Sequence, residues 1–167
     1  MHLQKSLSWF FLIFLIFSIA GNLDAANGPA KNDDFLQVEK VVDGDTFWVI
    51  NKKGEREKIR LIGVDTPEVR RSKNKEIGHY GKEASDFVKN LLDGQRVRLE
   101  YDVAKYDRYK RTLAYVYLED GTFLNAHLVK EGYAAVMTVP PNVKHADLFV
   151  DLQRMARKKK KGLWNIP

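Results

Sequence analysis

The sequence predicts an α+β protein in which a small, mainly β barrel carries helices that are inserted into it or appended to it. Two observations lead to this fold class. Five short runs of apolar and β-branched residues are bounded by turn sequences, which is typical of strands. Apolar residues also recur at helical spacing in three other segments. This organisation favours a small barrel over a βαβ sheet, and it indicates neither an internal repeat nor a second domain.

The N-terminus is predicted to be a signal peptide. Met1 to Ala20 has the positive start, the apolar centre and the small-residue cleavage site of a secretory signal, with Ala25 as a second possible cleavage point. The apolar run is shorter than the roughly 20 residues that a membrane span needs. We therefore expect a secreted or periplasmic protein, with an uncleaved membrane anchor as the alternative. Residues 21–34 are small, polar and aperiodic, so they are predicted to form a flexible leader before a folded domain over residues 35–167.

The composition indicates which kinds of partner the protein attracts and what stabilises its fold. The 167 residues include no cysteine and carry a formal net charge of +6, with a pI of about 9.4. A domain of this length can bury enough core to fold without disulfides, so its stability must come from packing or from a bound ion. A basic surface suggests a polyanionic partner. Nucleic-acid backbones are the commonest such partner, but anionic lipid would be attracted too.

The strands and helices follow from these patterns in chain order. The predicted strands are Phe35 to Val42, Phe47 to Ile50, Lys58 to Gly63, Arg96 to Val103 and Arg111 to Leu118. The predicted helices are Tyr80 to Leu92, Phe123 to Glu131 and Leu148 to Lys161. The turn Asp43-Gly44-Asp45-Thr46 has hairpin composition and joins the first two strands. In the last helix the predicted inward residues are Leu148, Phe149, Leu152 and Met155.

One stretch concentrates chemically active residues, namely the nine positions from Arg60 to Glu68 (RLIGVDTPE). Its Asp65 and the Asp45 of the hairpin turn lie at the ends of strands that can be neighbours, so both carboxylates can converge on one hard divalent cation. The carbonyl of Thr66 is a further candidate ligand. Such a set leaves room for water and a substrate oxygen, as a catalytic ion requires. Each acidic motif also has a purely structural explanation, as a turn or as a helix entry.

Neighbouring residues supply the remaining groups for phosphodiester hydrolysis. Glu68 lies three residues after Asp65 and is the natural general base for a water held at that ion. Arg60 and Arg111 approach the same place from two strands, and their guanidinium groups suit the oxygens of a phosphate. The highly charged stretch from Arg70 to Gly78 is either a solvated loop or a basic flap over a phosphate-bearing ligand.

Five ordered motifs, from the hairpin turn to the region near the C-terminus, form a specific set, although any one of them would be weak. They are Asp43-Gly44-Asp45-Thr46, Arg60-Leu61-x-x-Val64-Asp65-Thr66-Pro67-Glu68, Tyr80-Gly81-x-Glu83-Ala84, Tyr109-x-Arg111-x-Leu113-Ala114-Tyr115 and Gly162-Leu163-Trp164. With these motifs the sequence resembles the thermonuclease, or staphylococcal nuclease-like, family from about Val38 to Trp164.

The resemblance implies an OB-fold five-stranded barrel with about three helices, a calcium ion, and hydrolysis of DNA and RNA to products that end in 3′-phosphate. By the resemblance, Asp45 and Asp65 are carboxylate ligands, Thr66 is a backbone ligand, Glu68 is the base, and Arg60 and Arg111 are the phosphate-stabilising pair. Arg108 and Tyr109 match positions that contact a terminal phosphate of the bound nucleotide.

The sequence departs from the family pattern at two places. Lys110 stands where the family usually has glycine, so the loop before Arg111 is expected to differ in shape. Val136 to Pro140 offers no aromatic residue where the best-known member has a nucleotide-contacting tyrosine pair, and the nearby Tyr133 is predicted to be a core residue. We therefore expect intact chemistry, with nucleotide affinity weakened by about 1 to 3 kcal/mol per lost stacking contact.

The leading hypothesis is a secreted, calcium-dependent nuclease with little sequence specificity, acting as a monomer on DNA and RNA without an obligate protein partner. The alternative is a non-catalytic OB-fold module that binds nucleic acid or protein. The feature that discriminates between them is the set Arg60, Asp45, Asp65, Glu68 and Arg111. All five are present, which favours the nuclease.

Overall fold

A computed structural model describes residues 34–68 and 80–165 of the chain. The predicted signal peptide, the leader up to residue 33 and the charged stretch from Arg70 to Gly78 lie outside the described residues. No helix within the two described ranges is long and apolar enough to cross a membrane.

The described ranges contain a five-stranded barrel and a small separate sheet. The strands are β1 (Phe35–Asp43), β2 (Thr46–Ile50), β3 (Arg56–Leu61), β4 (Val64–Asp65), β5 (Arg96–Glu100), β6 (Thr112–Leu118) and β7 (Ala135–Val136). The barrel closes in the order β1-β2-β3-β6-β5, and β4 pairs with β7. All these pairings are antiparallel except that of β3 with β6, which is parallel. The predicted α+β class and its OB-type five-stranded barrel are confirmed.

Three α-helices lie in the described ranges, as predicted. They are α1 (Gly81–Leu92), α2 (Leu124–Glu131) and α3 (Ala146–Lys158), and a short 3₁₀ turn follows at Gly162–Trp164. The α2 helix ends at Gly132, whose φ of 78° is the left-handed conformation that glycine adopts without strain. The predicted terminal helix is shifted, because α3 begins two residues earlier than Leu148 and ends three residues before Lys161.

Alternate apolar side chains of β2 and β3 fill the interior of the barrel. Phe47, Val49 and Ile59 are fully buried, and Leu61 is 2 % exposed. All four belong to the hydrophobic core. The intervening Trp48 is half-buried on the outer face. Because successive side chains of a strand point to opposite faces, the apolar set of each strand faces the barrel interior.

The inward face of α3 differs from the prediction at two residues. Leu148 and Met155 are 44 % and 49 % exposed, whereas Phe149 is 1 % exposed. The ring of Phe149 lies 5.7 Å from that of Phe123 and 6.2 Å from that of Tyr115, which fixes the rotation of the helix. The inward positions Phe149 and Leu152 were predicted correctly, and the other two were wrong.

Candidate active site

The turn between β1 and β2 delivers Asp45 to a buried position. Asp45 is 6 % exposed, and its Oδ2 accepts hydrogen bonds from the backbone N–H of Thr66 at 3.0 Å and from the Thr66 hydroxyl at 3.3 Å. Gly44 makes this close approach possible, because a Cβ there would lie 2.8 Å from the Thr66 side chain. The hairpin turn is therefore attached to the end of the Arg60 to Glu68 stretch.

A single guanidinium group connects the two predicted carboxylate ligands. Nη2 of Arg60 donates to Oδ1 of Asp65 at 2.9 Å and lies 3.2 Å from Oδ2 of Asp45. Nη1 of Arg60 donates to the carbonyl oxygens of Leu61 and Val64, at 2.7 Å each. The Arg60 side chain is only 7 % exposed, so these charged groups meet where water screens them weakly. Asp45 and Asp65 are thus brought together, as predicted.

The electrostatics of the hairpin turn fit a cation site. Burial, and then the negative charge and hydrogen bonding of Asp45, raise the pKa of Asp43 to about 6. The donors available around Asp45 and Asp65 are carboxylate and backbone oxygens, which hard divalent cations prefer. Among residues 34–68 and 80–165, no three His, Cys, Asp or Glu side chains are grouped as in a complete metal site. Two carboxylates and the Thr66 carbonyl would therefore need water or substrate oxygens to complete a coordination shell.

Glu68 lies at the end of the same segment, next to the start of α1. It is half-buried, and its backbone oxygen is approached so closely by Gly81 that a Cβ at position 81 would lie 2.5 Å away. Helix α1 is itself anchored by Ala84 and Val88, both fully buried. The position of Glu68 therefore depends on the absence of a side chain at position 81.

Arg111 is held by a loop that sequence reasoning did not identify. Its backbone N–H donates to Oδ1 of Asp107 at 2.9 Å, and its Nε donates to Oδ2 at 2.6 Å. Burial acts to raise the pKa of Asp107, but hydrogen bonds from the backbone of Arg111, the Arg111 side chain and the backbone of Tyr109 outweigh it and lower that pKa. The (i, i+4) spacing of the two residues was the available signal. Without the loop conformation, it could not be distinguished from a surface ion pair.

Lys110 keeps a glycine-like backbone. Its φ of 61° lies in the left-handed region, and its N–H donates to the carbonyl oxygen of Asp107 at 3.0 Å. The loop before Arg111 therefore adopts a backbone conformation that glycine would favour, and the effect of Lys110 on the shape of this loop stays a prediction.

A pocket of about 550 Å³ collects four of the predicted residues, Arg60, Arg108, Tyr109 and Arg111. The guanidinium carbons of Arg108 and Arg111 lie 4.8 and 5.4 Å from the centroid of the Tyr109 ring. Asp45, Asp65, Thr66 and Glu68 do not line this pocket, but Arg60 contacts the carboxylates of Asp45 and Asp65. The structure thus places the two predicted arginines on the pocket and the two predicted carboxylate ligands in contact with one of them.

One segment of the pocket lining is apolar and carries no aromatic ring. It is formed by Met137, Val139, Pro140 and Pro141. The Tyr133 ring lies instead against Phe87, with centroids 4.0 Å apart and an interplanar angle of 13°. Tyr133 packs against the core, as predicted, and the pocket wall has no aromatic ring from this segment.

Two buried asparagines, also missed from the sequence, fix the backbone around the site. Asn142 accepts from the N–H of Ala104 at 2.7 Å and donates to its carbonyl at 2.8 Å, joining two segments that line the pocket. Asn125 accepts from the N–H of Val116 at 3.0 Å and donates to the carbonyl of Ile62 at 2.9 Å. Nothing in the sequence pattern distinguishes these amides from surface asparagines.

Comparison with known proteins agrees with this architecture. The family model described as staphylococcal nuclease homologue matches residues 58–166. The chain is 44 % identical over 153 residues to a thermonuclease of Staphylococcus intermedius, covering 92 % of this chain and 89 % of that protein. It is 43 % identical over 146 residues to a thermonuclease of Staphylococcus hyicus, covering 87 % and 85 %. Endonuclease YncB of Bacillus subtilis is 37 % identical over 132 residues, covering 78 % and 61 %. The chain therefore belongs to the family of staphylococcal nuclease homologues.

Proposed function

We propose that this chain hydrolyses DNA and RNA with little sequence specificity, depends on calcium, and leaves 3′-phosphate ends. As a member of its family, the chain is an enzyme, a nuclease that hydrolyses phosphodiester bonds. One observation supports the proposed calcium dependence and the proposed site of hydrolysis. Arg60 contacts the carboxylates of Asp45 and Asp65 and lines the same pocket as Arg111. A cation site at these carboxylates and a phosphate site in the pocket would therefore adjoin each other at Arg60.

The proposed ligands are the carboxylates of Asp45 and Asp65 and the backbone oxygen of Thr66. An all-oxygen set of this kind suits calcium, which accepts flexible geometry and several ligands, including water. Burial and then the charge of Asp45 raise the pKa of Asp43, and a cation bound beside these carboxylates would favour their charged forms. When bound there, the cation would supply a polarised phosphate oxygen and a water of lowered pKa.

The hydrolysis is proposed to proceed by direct attack of water. Glu68 accepts a proton from the water while the oxygen of that water forms the new bond to phosphorus. The bond from phosphorus to the 5′-oxygen breaks, and that oxygen takes a proton from a solvent water and leaves as a hydroxyl, which keeps the phosphate on the 3′ side. Arg60 and Arg111 stabilise the charge that develops on the phosphate oxygens. Because Asp107 holds Arg111 through two hydrogen bonds, that guanidinium is already oriented before substrate binds.

Arg108 and Tyr109 are proposed to bind a neighbouring phosphate of the substrate. Both line the pocket next to Arg111, and both are exposed, with Tyr109 at 64 %. An exposed cation beside an aromatic ring can contact a phosphate and the adjoining nucleoside together. The apolar segment of the pocket lining offers contact area without ring stacking, which suits low base specificity.

We also propose that the protein is secreted or periplasmic and acts as a monomer without an obligate protein partner. The location is supported by the signal-like composition of residues 1–20.

The proposed function is tested by digestion of single-stranded DNA, double-stranded DNA and RNA with calcium, with magnesium and with a chelator. The proposal expects calcium-dependent cleavage of all three substrates and 3′-phosphate at the new ends. Retained nucleic-acid binding without cleavage under any condition would contradict it and would favour a non-catalytic binding module.

A further inference from the structure

The outer face of β2 and β3 carries an aromatic ring among basic side chains. The strand register pairs Trp48 with Lys58 and, one row further from the active site, Ile50 with Arg56. On its other side Trp48 pairs with Lys40 of β1. We call Lys40, Trp48, Arg56 and Lys58 the outer stripe.

Two of the charges of the outer stripe lie close to the ring. The guanidinium carbon of Arg56 is 4.7 Å from the centroid of Trp48, and Nζ of Lys58 is 5.4 Å from it. One carboxylate, that of Glu39, accepts a hydrogen bond from Nε of Arg56 at 2.7 Å. Three cations against this one anion leave the stripe basic, and cation–π contact holds the ring and its neighbours in place.

The outer stripe is continuous with the active site. Arg60 follows Lys58 by two residues on β3, so both side chains lie on the same face, about 7 Å apart along the strand. Arg60 pairs with Thr46, the residue after Asp45, and it lines the pocket that contains Arg111. A substrate strand whose phosphate lies at Arg60 therefore has the pocket on one side and the outer stripe on the other.

We propose that the outer stripe binds the part of a single-stranded substrate that continues past Arg60, away from the pocket. The inference rests on the proposed nuclease function. Trp48 would stack on an unpaired base, while the basic residues contact the flanking phosphates. The ring at the centre of the charges and the connection to Arg60 favour nucleic acid over an anionic lipid surface. The stripe would thus add an aromatic contact outside the pocket to the one that Tyr109 provides within it.

The test measures affinity without hydrolysis. The full chain is titrated with fluorescently labelled oligothymidylates in chelator, using a dinucleotide and a strand of about eight nucleotides, within the usual site size of an OB fold. Trp48→Ala is expected to raise the Kd for the longer strand by at least about fivefold, with a smaller effect on the dinucleotide. Lys58→Ala is expected to raise the same Kd. It should also reduce the steepness with which the logarithm of the association constant falls against the logarithm of salt concentration, by about 0.7.

Control variants separate the stripe from general charge and folding effects. Lys89→Ala removes an equal charge from the exposed face of α1 and should leave both affinities unchanged. Trp48→Phe keeps a ring and should retain more affinity than Trp48→Ala. If Trp48→Ala fails to fold, the Lys58→Ala result decides the matter.

Equal affinities for wild type, Trp48→Ala and Lys58→Ala would overturn the inference. So would variants that lose binding to anionic lipid vesicles while their affinity for the longer strand is unchanged. A chain that cleaves nothing, but binds the longer strand through the stripe, would contradict the proposed function and leave this inference standing. An active chain with unaffected variants would contradict only this inference.

Discussion

Thr66 donates its backbone N–H to Oδ2 of Asp45 at 3.0 Å, although 21 residues separate the two in sequence. This bond joins the turn after β1 to the segment that ends at Glu68. The predicted cation ligands are consequently assembled by the backbone of the barrel and not by flexible side chains alone. Substitution of either residue should therefore weaken cation binding more than it lowers the stability of the barrel.

Asp45→Ala is expected to raise the calcium concentration needed for half-maximal activity by at least about tenfold. The substitution removes one proposed ligand and leaves the charge of Arg60 balanced by Asp65 alone. Calorimetric titration with calcium, together with activity against calcium concentration, measures the change. Asp147→Ala, at an exposed position of α3, is the matched control and should change neither quantity. An unaltered calcium requirement in Asp45→Ala would remove Asp45 from the ligand set.

Gly81→Ala is expected to lower kcat by about tenfold or more, because the added Cβ would displace the backbone of Glu68 and misalign the proposed base. Steady-state kinetics with one oligonucleotide substrate measure kcat and KM separately. Gly121→Ala is a useful comparison, since its Cβ would meet open space while its φ of 85° makes alanine strained. It should cost about 1 kcal/mol of stability without changing kcat. Equal kcat in wild type and Gly81→Ala would show that Glu68 tolerates the shift.

Asp107→Asn is expected to reduce both activity and stability, because the carboxylate holds the side chain and backbone of Arg111. The loss of unfolding free energy near neutral pH should be about 1 to 2 kcal/mol. The pKa of Asp107 is lower in the folded protein than its ordinary value of 3.8. The wild-type advantage is thus fully present above 3.8 and is lost as the pH falls through the folded pKa. Urea unfolding of wild type and Asp107→Asn near pH 7 and near pH 3 measures the difference in unfolding free energy at each pH. An equal difference at the two pH values would contradict the assignment.

Asn125→Ala is expected to destabilise the protein by about 2 to 4 kcal/mol. It would leave the N–H of Val116 and the carbonyl of Ile62 buried without their amide partner. Asn90→Ala, on the exposed face of α1, is the control and should stay within about 0.5 kcal/mol of wild type. Chemical unfolding of the two variants decides the question. A loss in Asn125→Ala no larger than in the control would mean that other groups satisfy this backbone.

Much of the barrel could be predicted because its signal is local. Phe47 and Val49 alternate with Trp48, and one buried face per strand is enough to identify a strand. The two-residue strands β4 and β7 are too short for such a pattern. In α3, Leu148 and Phe149 are adjacent and equally apolar in sequence. The aromatic contacts of Phe149 determine which of them faces inward, and those contacts come from distant parts of the chain.

The candidate site shows the same division. Asp45, Asp65, Arg60 and Arg111 could be singled out because they belong to ordered motifs that are specific as a set, although each motif alone would be weak. The supporting residues could not be identified, because the role of Asp107 depends on a loop in which Lys110 has positive φ. The buried amide of Asn142 likewise acquires its role only when two segments, 38 residues apart in sequence, come together.

Glu68 is proposed to act as the base at a cation held by Asp45 and Asp65. The most direct measurement is single-turnover cleavage of one labelled oligonucleotide by wild type and by Glu68→Gln, at saturating calcium and with the calcium affinity of both determined. We expect Glu68→Gln to keep the calcium and substrate affinities of wild type and to cleave about 10² to 10⁴-fold more slowly. A Glu68→Gln enzyme that cleaves at the wild-type rate would contradict this role of Glu68.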